Sequence, residues 1–268
     1  MKKPLLFVFV FTLLHFAHAQ EGFHIGASGT FSSTFIFPQN NYGTLAPFKL
    51  GVVRSSEMDY KLTWGGSGGI VVGYNIKHWV GVQAEIQYNY TGQKYEDNFV
   101  GPATIPTSSG TQTFGGGNMR VNVKREIRLS YIRIPILVKF TTSKGHIAKF
   151  YGALGPQIGF RLSAKEEVKI EGNIYLPDSL AFTPKQKFQT VDAGVAIQLG
   201  TEIYATDHLY FNVGISGFVG FTDINGKVLK ELDWYSKNDV TYKKSFIANA
   251  GLVVGVHYII GRGREDYF

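Results

Sequence analysis

Segments with a two-residue apolar period recur about eight times between His24 and Ile260, and the gaps between them alternate without a break between long and short. The long gaps are roughly 37–65, 92–124, 164–185 and 223–240; the short ones are Lys77-His78, 142–146 and 206–207. A period of two is the signature of an extended strand, whose side chains point alternately to two faces. A short gap folds a strand back antiparallel to its predecessor. Strict alternation therefore puts every short turn at one end of a meander and every long connection at the other.

The two faces differ in kind. On the third segment Val80, Val82, Ala84, Ile86, Tyr88 and Tyr90 oppose Gly81, Gln83, Glu85, Gln87 and Asn89. The sixth sets Val191, Ala193, Val195, Ile197 and Leu199 against Asp192, Gly194, Gln198, Gly200 and Glu202. The seventh and eighth repeat the pattern, with Asn212, Asn249 and His257 on the polar side. Such alternation suits a soluble sandwich as well as a barrel in lipid. Three features favour lipid. The gap lengths alternate as in outer-membrane barrels, with short periplasmic turns and long outer loops. Aromatic residues (Trp79, Tyr88, Tyr90, Phe150, Phe160, Phe221, Tyr258) gather toward the ends of the apolar rows, as an interfacial girdle does. The opposite face is rich in glycine and mixed in charge. The expected fold is all-β: a transmembrane antiparallel meander barrel of about eight strands, with both termini periplasmic.

The fourth segment, 126–140, is irregular. Ile132, Ile134, Ile136, Val138 and Phe140 form an apolar row, but Ile127, Leu129 and Tyr131 fall on the other face. This predicts a bulge near Ser130, or emergence of the strand above the membrane there. Pro135 removes a ladder donor, an oddity in a closed barrel.

Length and composition agree. The 268 residues include 32 glycines and no cysteine, and 15% are aromatic. Lack of cysteine excludes a disulfide frame, a thiolate zinc site, a thiol nucleophile and a lipid-bearing cysteine. Residues 1–19 read as a cleaved signal peptide: Lys2 and Lys3, then an apolar core over 5–16, then Ala17-His18-Ala19 before the mature domain of 20–268. No later stretch approaches the ~20 apolar residues of a transmembrane helix. The net charge is +7, and loss of Lys2 and Lys3 lowers it to +5. It forms no basic stripe, which argues against nucleic acid.

With about eight strands the interior is filled by side chains. The expected inward charges are Glu85, Asp192 and Glu202 against Arg133, Lys139, Lys149 and Arg161, joined by His257 and several amides. Buried charges need partners, so these predict a salt-bridged plug rather than a channel. His24 and His257 become neighbours if the first and last strands close the ring, as satisfied lumen histidines more than as a metal pair. His78, His146 and His208 fall in the short turns. No cofactor is expected: the glycine runs 65–69 and 115–117 lack the strand–loop–helix setting and lysine of a phosphate loop. The sequon Asn89-Tyr90-Thr91 lies within a predicted strand. Asp207-His208 has no serine nearby and Ser216 is expected inward, so no catalytic constellation forms and the chain is expected not to be an enzyme. Lys49, Arg54, Lys61, Arg120, Lys124, Arg125, Lys227 and Lys230 dot the long gaps, where solvation or lipopolysaccharide phosphates would meet them.

Two segments carry a resemblance. Residues 131–140 (Tyr-Ile-Arg-Ile-Pro-Ile-Leu-Val-Lys-Phe) and 151–160 (Tyr-Gly-Ala-Leu-Gly-Pro-Gln-Ile-Gly-Phe) resemble successive strands of the PorT-like outer-membrane β-barrel family. A glycine-containing first strand after a signal peptide also fits. The resemblance implies an OmpA/OmpX-like barrel in a Gram-negative outer membrane, with outer-membrane lipids, lipopolysaccharide and the barrel-assembly machinery as partners. The family's namesake assists protein secretion, yet most members have no assigned activity, so the fold does not transfer that role. The expected function is a structural or loop-mediated binding role in the envelope. Alternatives are an accessory component working with envelope or secretion proteins, a small-solute pore, or a lipid-active enzyme.

Overall fold

The computed structural model describes residues 22–37, 59–77, 79–100, 103–107, 110–114, 120–142, 147–171, 183–231 and 242–260. Its strands are β1 (Phe23–Phe37), β2 (Asp59–Lys61), β3 (Trp64–Lys77), β4 (Val80–Val100), β5 (Ala103–Thr107), β6 (Gly110–Phe114), β7 (Arg120–Thr141), β8 (Ala148–Glu171), β9 (Val191–Tyr204), β10 (Leu209–Gly220) and β11 (Phe246–Ile260). Two single-turn helices, α1 (Pro184–Lys187) and α2 (Lys227–Lys230), lie in the later long connections.

Eight strands close a ring. The order β4-β3-β1-β11-β10-β9-β8-β7 is completed by pairing of β4 with β7, and every ladder is antiparallel. Closure is what lets strands sit in hydrocarbon, since it leaves no edge of unpaired amides. The molecule is inside out relative to a soluble protein. Ile70, Ile86, Phe150 and Leu252 are each at least 60% exposed on the outer wall, whereas Glu85, Arg133, Asp192 and Glu202 are buried within. Among the described residues no helix is long and apolar enough to cross a membrane, so the crossing is made by strands.

The strands are unequal. About ten tilted residues span a bilayer. β10 has 12 residues, but β7 has 22 and β8 has 24, so the wall of β4, β7 and β8 continues well beyond the lipid. The 92–124 gap is thus shorter than the sequence indicates: 92–100 and 120–124 remain paired, ending at Val100↔Arg120. Charges on the outer face there, at Lys94 and Glu96, imitate a loop, yet a ladder standing clear of lipid needs no apolar outer face. β2 joins this extension on β4, and β5 and β6 form a separate hairpin. The 164–185 gap likewise begins as strand, since β8 runs to Glu171.

The irregularity foreseen near Ser130 is present as a register shift between Ser130 and Tyr131. Its effect differs from expectation. Ser130 pairs with Ser163 and Tyr131 with Arg161, so the surplus residue, Leu162, belongs to β8. β7 keeps one parity throughout, with Arg125, Ile127, Leu129, Tyr131, Arg133, Leu137 and Lys139 all buried inside. Strand β8 switches parity instead, and Ala164 and Glu166 turn inward beyond the bulge. The ladder opens around Pro135: β4 pairs resume only at Ala84↔Ile136 and Gln87↔Arg133, leaving Glu85 opposite the missing donor.

Candidate functional site: a lumen closed at two levels

The inward side chains form stacked layers. In the layer near the short turns, Lys139 Nζ lies 2.9 Å from Glu202 Oε1 and 3.5 Å from the Tyr210 hydroxyl. The Tyr204 hydroxyl donates to Glu202 Oε2 at 3.1 Å. Tyr210 stacks on His257 at 4.6 Å, and His257 Nε2 meets Asn212 Oδ1 at 3.1 Å. Asn212 in turn donates to the Tyr151 hydroxyl at 3.0 Å. His24 is edge-on to His257, 5.6 Å between ring centres. Its imidazole occupies the space beside Gly73, where any Cβ would strike the ring. Lys149 sits over the Tyr204 ring at 5.0 Å.

The next layer is built on Glu85. Gln83 Nε2 (2.7 Å) and Gln198 Nε2 (3.0 Å) donate to Oε1, while Ser28 Oγ (3.1 Å) and Gln87 Nε2 donate to Oε2. Four neutral donors from three strands saturate one carboxylate, which is how a buried anion is tolerated without a cation.

Arg133 lies above, fully buried. Its Nη2 is 3.2 Å from Asp192 Oδ2, and its guanidinium packs 4.2 Å from the Phe218 ring. Thr222 donates to the other Asp192 oxygen at 3.0 Å. A chamber of about 30 Å³ adjoins Arg133, lined also by Thr30, Ser67, Asn89, Gln157 and Asn249. That is room for one or two waters. Nε and Nη1 of Arg133 and Oδ1 of Asn89 face no protein partner there.

The lumen then changes character. Ile36, Tyr95, Ile127, Leu129, Tyr131, Phe218 and Ile247 form an apolar cluster with Phe188 and Ile224 from the two later connections. Those connections are zipped together across the mouth: Gln189 N donates to Ile224 O at 2.7 Å and Gly226 N to Lys187 O at 2.7 Å. Arg161 donates to the carbonyls of Lys185, Phe188 and Gln189 at 2.9, 3.1 and 2.9 Å. Glu166 bridges Arg125 at 2.5 Å and Lys187 at 2.6 Å. Burial alone would push the Glu166 carboxyl upward, but Arg125 and Lys187 outweigh it and hold it below the usual carboxylate range. Asp223, on the next connection, is likewise held low: partial burial is outweighed by hydrogen bonds from Tyr242, the Ser245 and Asn225 amides and Lys230.

The sequence-predicted residues divide accordingly. Arg133–Asp192 and Lys139–Glu202 pair inside, and His24 and His257 meet. Glu85 is inside, but amides rather than a cation satisfy it. Lys149 and Arg161 lie at the two rims, the first on an aromatic ring and the second on backbone carbonyls. Arg125, read as a loop cation open to solvent or to phosphate, is instead buried against Glu166 because it shares the inward parity of β7. Lys61, Lys227 and Lys230 pair with Glu96, Glu231 and Asp223. Lys49, Arg54, His78, His146 and residues 1–19 lie outside the described residues. Phe188, Ile224, Glu166 and Lys187 were missed as site residues; Tyr151 and Tyr210 follow from strand parity alone. Among the described residues no cluster of three His, Cys, Asp or Glu side chains is placed to hold a metal.

The closed ring agrees with sequence comparison. The profile of the outer membrane protein beta-barrel domain matches residues 18–226. The chain belongs to that family. It is an integral protein of the Gram-negative outer membrane. The family match ends before β11, the strand that seals the ring against β1. Solved barrels with similar topology include OprG of Pseudomonas aeruginosa, 13% identical over 91% of this chain and 98% of that one, at a TM-score of 0.38. Ail of Yersinia pestis is 10% identical over 90% and 100%, at 0.33. The outer membrane protease OmpT of Escherichia coli is 10% identical over 89% and 97%, at 0.30. None of the curated proteins matches the sequence.

Proposed function

We propose that this barrel is a non-enzymatic envelope protein that acts through its long connections and its wall, not through its lumen. In this reading residues 1–19 are a signal peptide removed on export, both termini are periplasmic, and the long connections face outside. The single observation that carries it is the double closure of the interior. Two ion pairs, a saturated carboxylate and an apolar cap fill the lumen among the described residues, and the chamber beside Arg133 holds no more than a water or two. Binding is thereby displaced to loops, as is common where a rigid scaffold carries variable connections. Its partners are outer-membrane lipids and lipopolysaccharide, with the barrel-assembly machinery needed for insertion. A PorT-like subgroup, and with it contact to envelope or secretion proteins, is supported by segments 131–140 and 151–160. They are neighbouring strands of one hairpin, as the resemblance requires.

Purified protein in a planar bilayer tests the closure. The expected result is no steady single-channel current. A sustained open conductance would overturn the reading in favour of a solute pore.

A further inference from the structure

The extended wall of β4, β7 and β8 has an outer face that no lumen argument uses. Its rungs follow from the register. Nearest the lipid, Gly92, Arg128 and Lys165 are directly opposite one another; the next rung is Lys94, Glu126 and Glu167; the third is Glu96, Lys124 and Lys169. Between β7 and β8 each rung is of one sign: two cations, two carboxylates, two cations. Like charges directly opposite destabilise a sheet, so fold stability does not explain the pattern. Repulsion is relieved by pairs along β7 and across to its neighbours: Arg128 reaches Glu126 at 2.8 Å and Glu167 at 3.6 Å, and Lys94 reaches Glu126 at 3.7 Å. Four cations face two carboxylates on β7 and β8, leaving the patch positive.

Height in the membrane decides what this patch meets. The rung below Arg128 and Lys165 is Tyr90, Ser130 and Ser163, and the Tyr88 hydroxyl donates to Ser130 at 3.1 Å. Tyr88, Tyr90 and Trp64 are exposed on the outer wall, the amphipathic rings of an interfacial girdle, with Leu162 beside them exposed as well. Adjacent rungs on one face are two residues apart, roughly 7 Å. The all-cation rung therefore lies one step beyond the girdle, at headgroup level, facing lipid rather than the lumen. At the rim of β9, β10 and β1, the outward residues Val191, Val219, Phe221 and Phe35 are exposed and uncharged.

We propose that Arg128 and Lys165, backed by Lys124 and Lys169, form a docking ledge for the phosphate groups of lipopolysaccharide. Glu126 holds the Arg128 fork in place, and the ammonium of Lys165 supplies a second phosphate contact. This deepens the proposed function and rests on its orientation, with the long connections outside.

The test uses the full chain extracted in mild detergent. Lys165→Glu and Lys169→Glu are compared with wild type and with Lys227→Glu, a control at an exposed cation outside these three strands. Retained lipopolysaccharide per barrel is measured, as is rebinding of intact and dephosphorylated lipopolysaccharide. Heat-modifiable gel mobility reports folding, and Lys165→Gln replaces Lys165→Glu if that variant fails to fold. The expected result is a several-fold loss of retention for the variants at 165 and 169, none for Lys227→Glu, and no difference between wild type and variant with the dephosphorylated form. Equal retention in all variants would overturn the ledge, as would a loss that persists without phosphate. Because the chain has no cysteine, a Lys165→Cys variant labelled in intact cells by an impermeant maleimide reports orientation separately. Labelling only after lysis would sink the orientation and the ledge with it; labelling in intact cells with unchanged retention would sink the ledge alone.

Discussion

The two ends of the lumen are lined by the same alternation of the same strands, yet they are closed by opposite chemistry. Near the short turns the inward row carries Lys139, Glu202, Glu85 and Arg133, and closure comes from charge and amide pairing within the barrel wall itself. Near the long connections the inward row carries Ile127, Leu129 and Tyr131, and closure needs Phe188 and Ile224 brought in from outside the wall. The first is part of the ring and is expected to unfold only with it. The second is built from the connections and is expected to open while the ring persists.

That contrast can be broken at three points. The largest effect is expected from Arg133→Met, which strands the buried Asp192 carboxylate at a cost of about 3–5 kcal/mol. Urea unfolding in lipid vesicles should show it as a lowered midpoint, and Arg133→Met with Asp192→Leu should recover most of it. If the double variant is no better than the single, the pair is not what closes that layer. Next comes Phe188→Ala. Losing one buried aromatic contributes about 1.5–3 kcal/mol, here to the lid alone. Amide exchange over 183–190 should quicken by roughly ten- to a hundredfold while the urea midpoint stays put. A midpoint that falls with it would merge the two regions into one cooperative unit.

The smallest effect is set by pH. The folded Glu166 carboxyl is held below its unfolded value, which is near 4.3 for a free glutamate. Its contribution is therefore present above that value and lost as pH falls through the lower folded one. Protection of the 183–190 amides against exchange, corrected for the intrinsic pH dependence of exchange, should be the same at neutral and mildly acid pH, then fall below about pH 4. Glu166→Gln should be fast at both. Pairing in the lumen gives no such loosening of the lid, so an acid response that survives Glu166→Gln would move the latch elsewhere.

Where a residue's face follows from local parity, the sequence was enough to place it. The charges Glu85, Asp192, Glu202, Arg133 and Lys139 sit inside because each alternates with apolar neighbours that must meet lipid. His24 and His257 meet because first and last strands must pair if the ring closes. What parity cannot supply is contact across connections. Nothing local marks Phe188 or Ile224 as plug residues, since each stands in a run that reads as loop. Glu166 was hidden by a further step: its inward direction exists only because Leu162 is surplus on β8, while the irregular reading of β7 came from Ile127, Leu129 and Tyr131, inward residues that are apolar because they line the cap. The wall beyond the membrane was taken for loop for a related reason. An apolar outer row marks lipid contact, not strand, and Lys94, Glu96, Lys124 and Glu167 continue the pairing without it.

The uneven rim gives the cylinder a front and a back. A neighbour drifting in the plane of the bilayer meets a tall paired ladder when it approaches β4, β7 and β8, and a shorter one when it approaches β10 and β11. Crowding among envelope proteins would thus be orientation-dependent, with close lateral approach admitted on one flank and held off on the other.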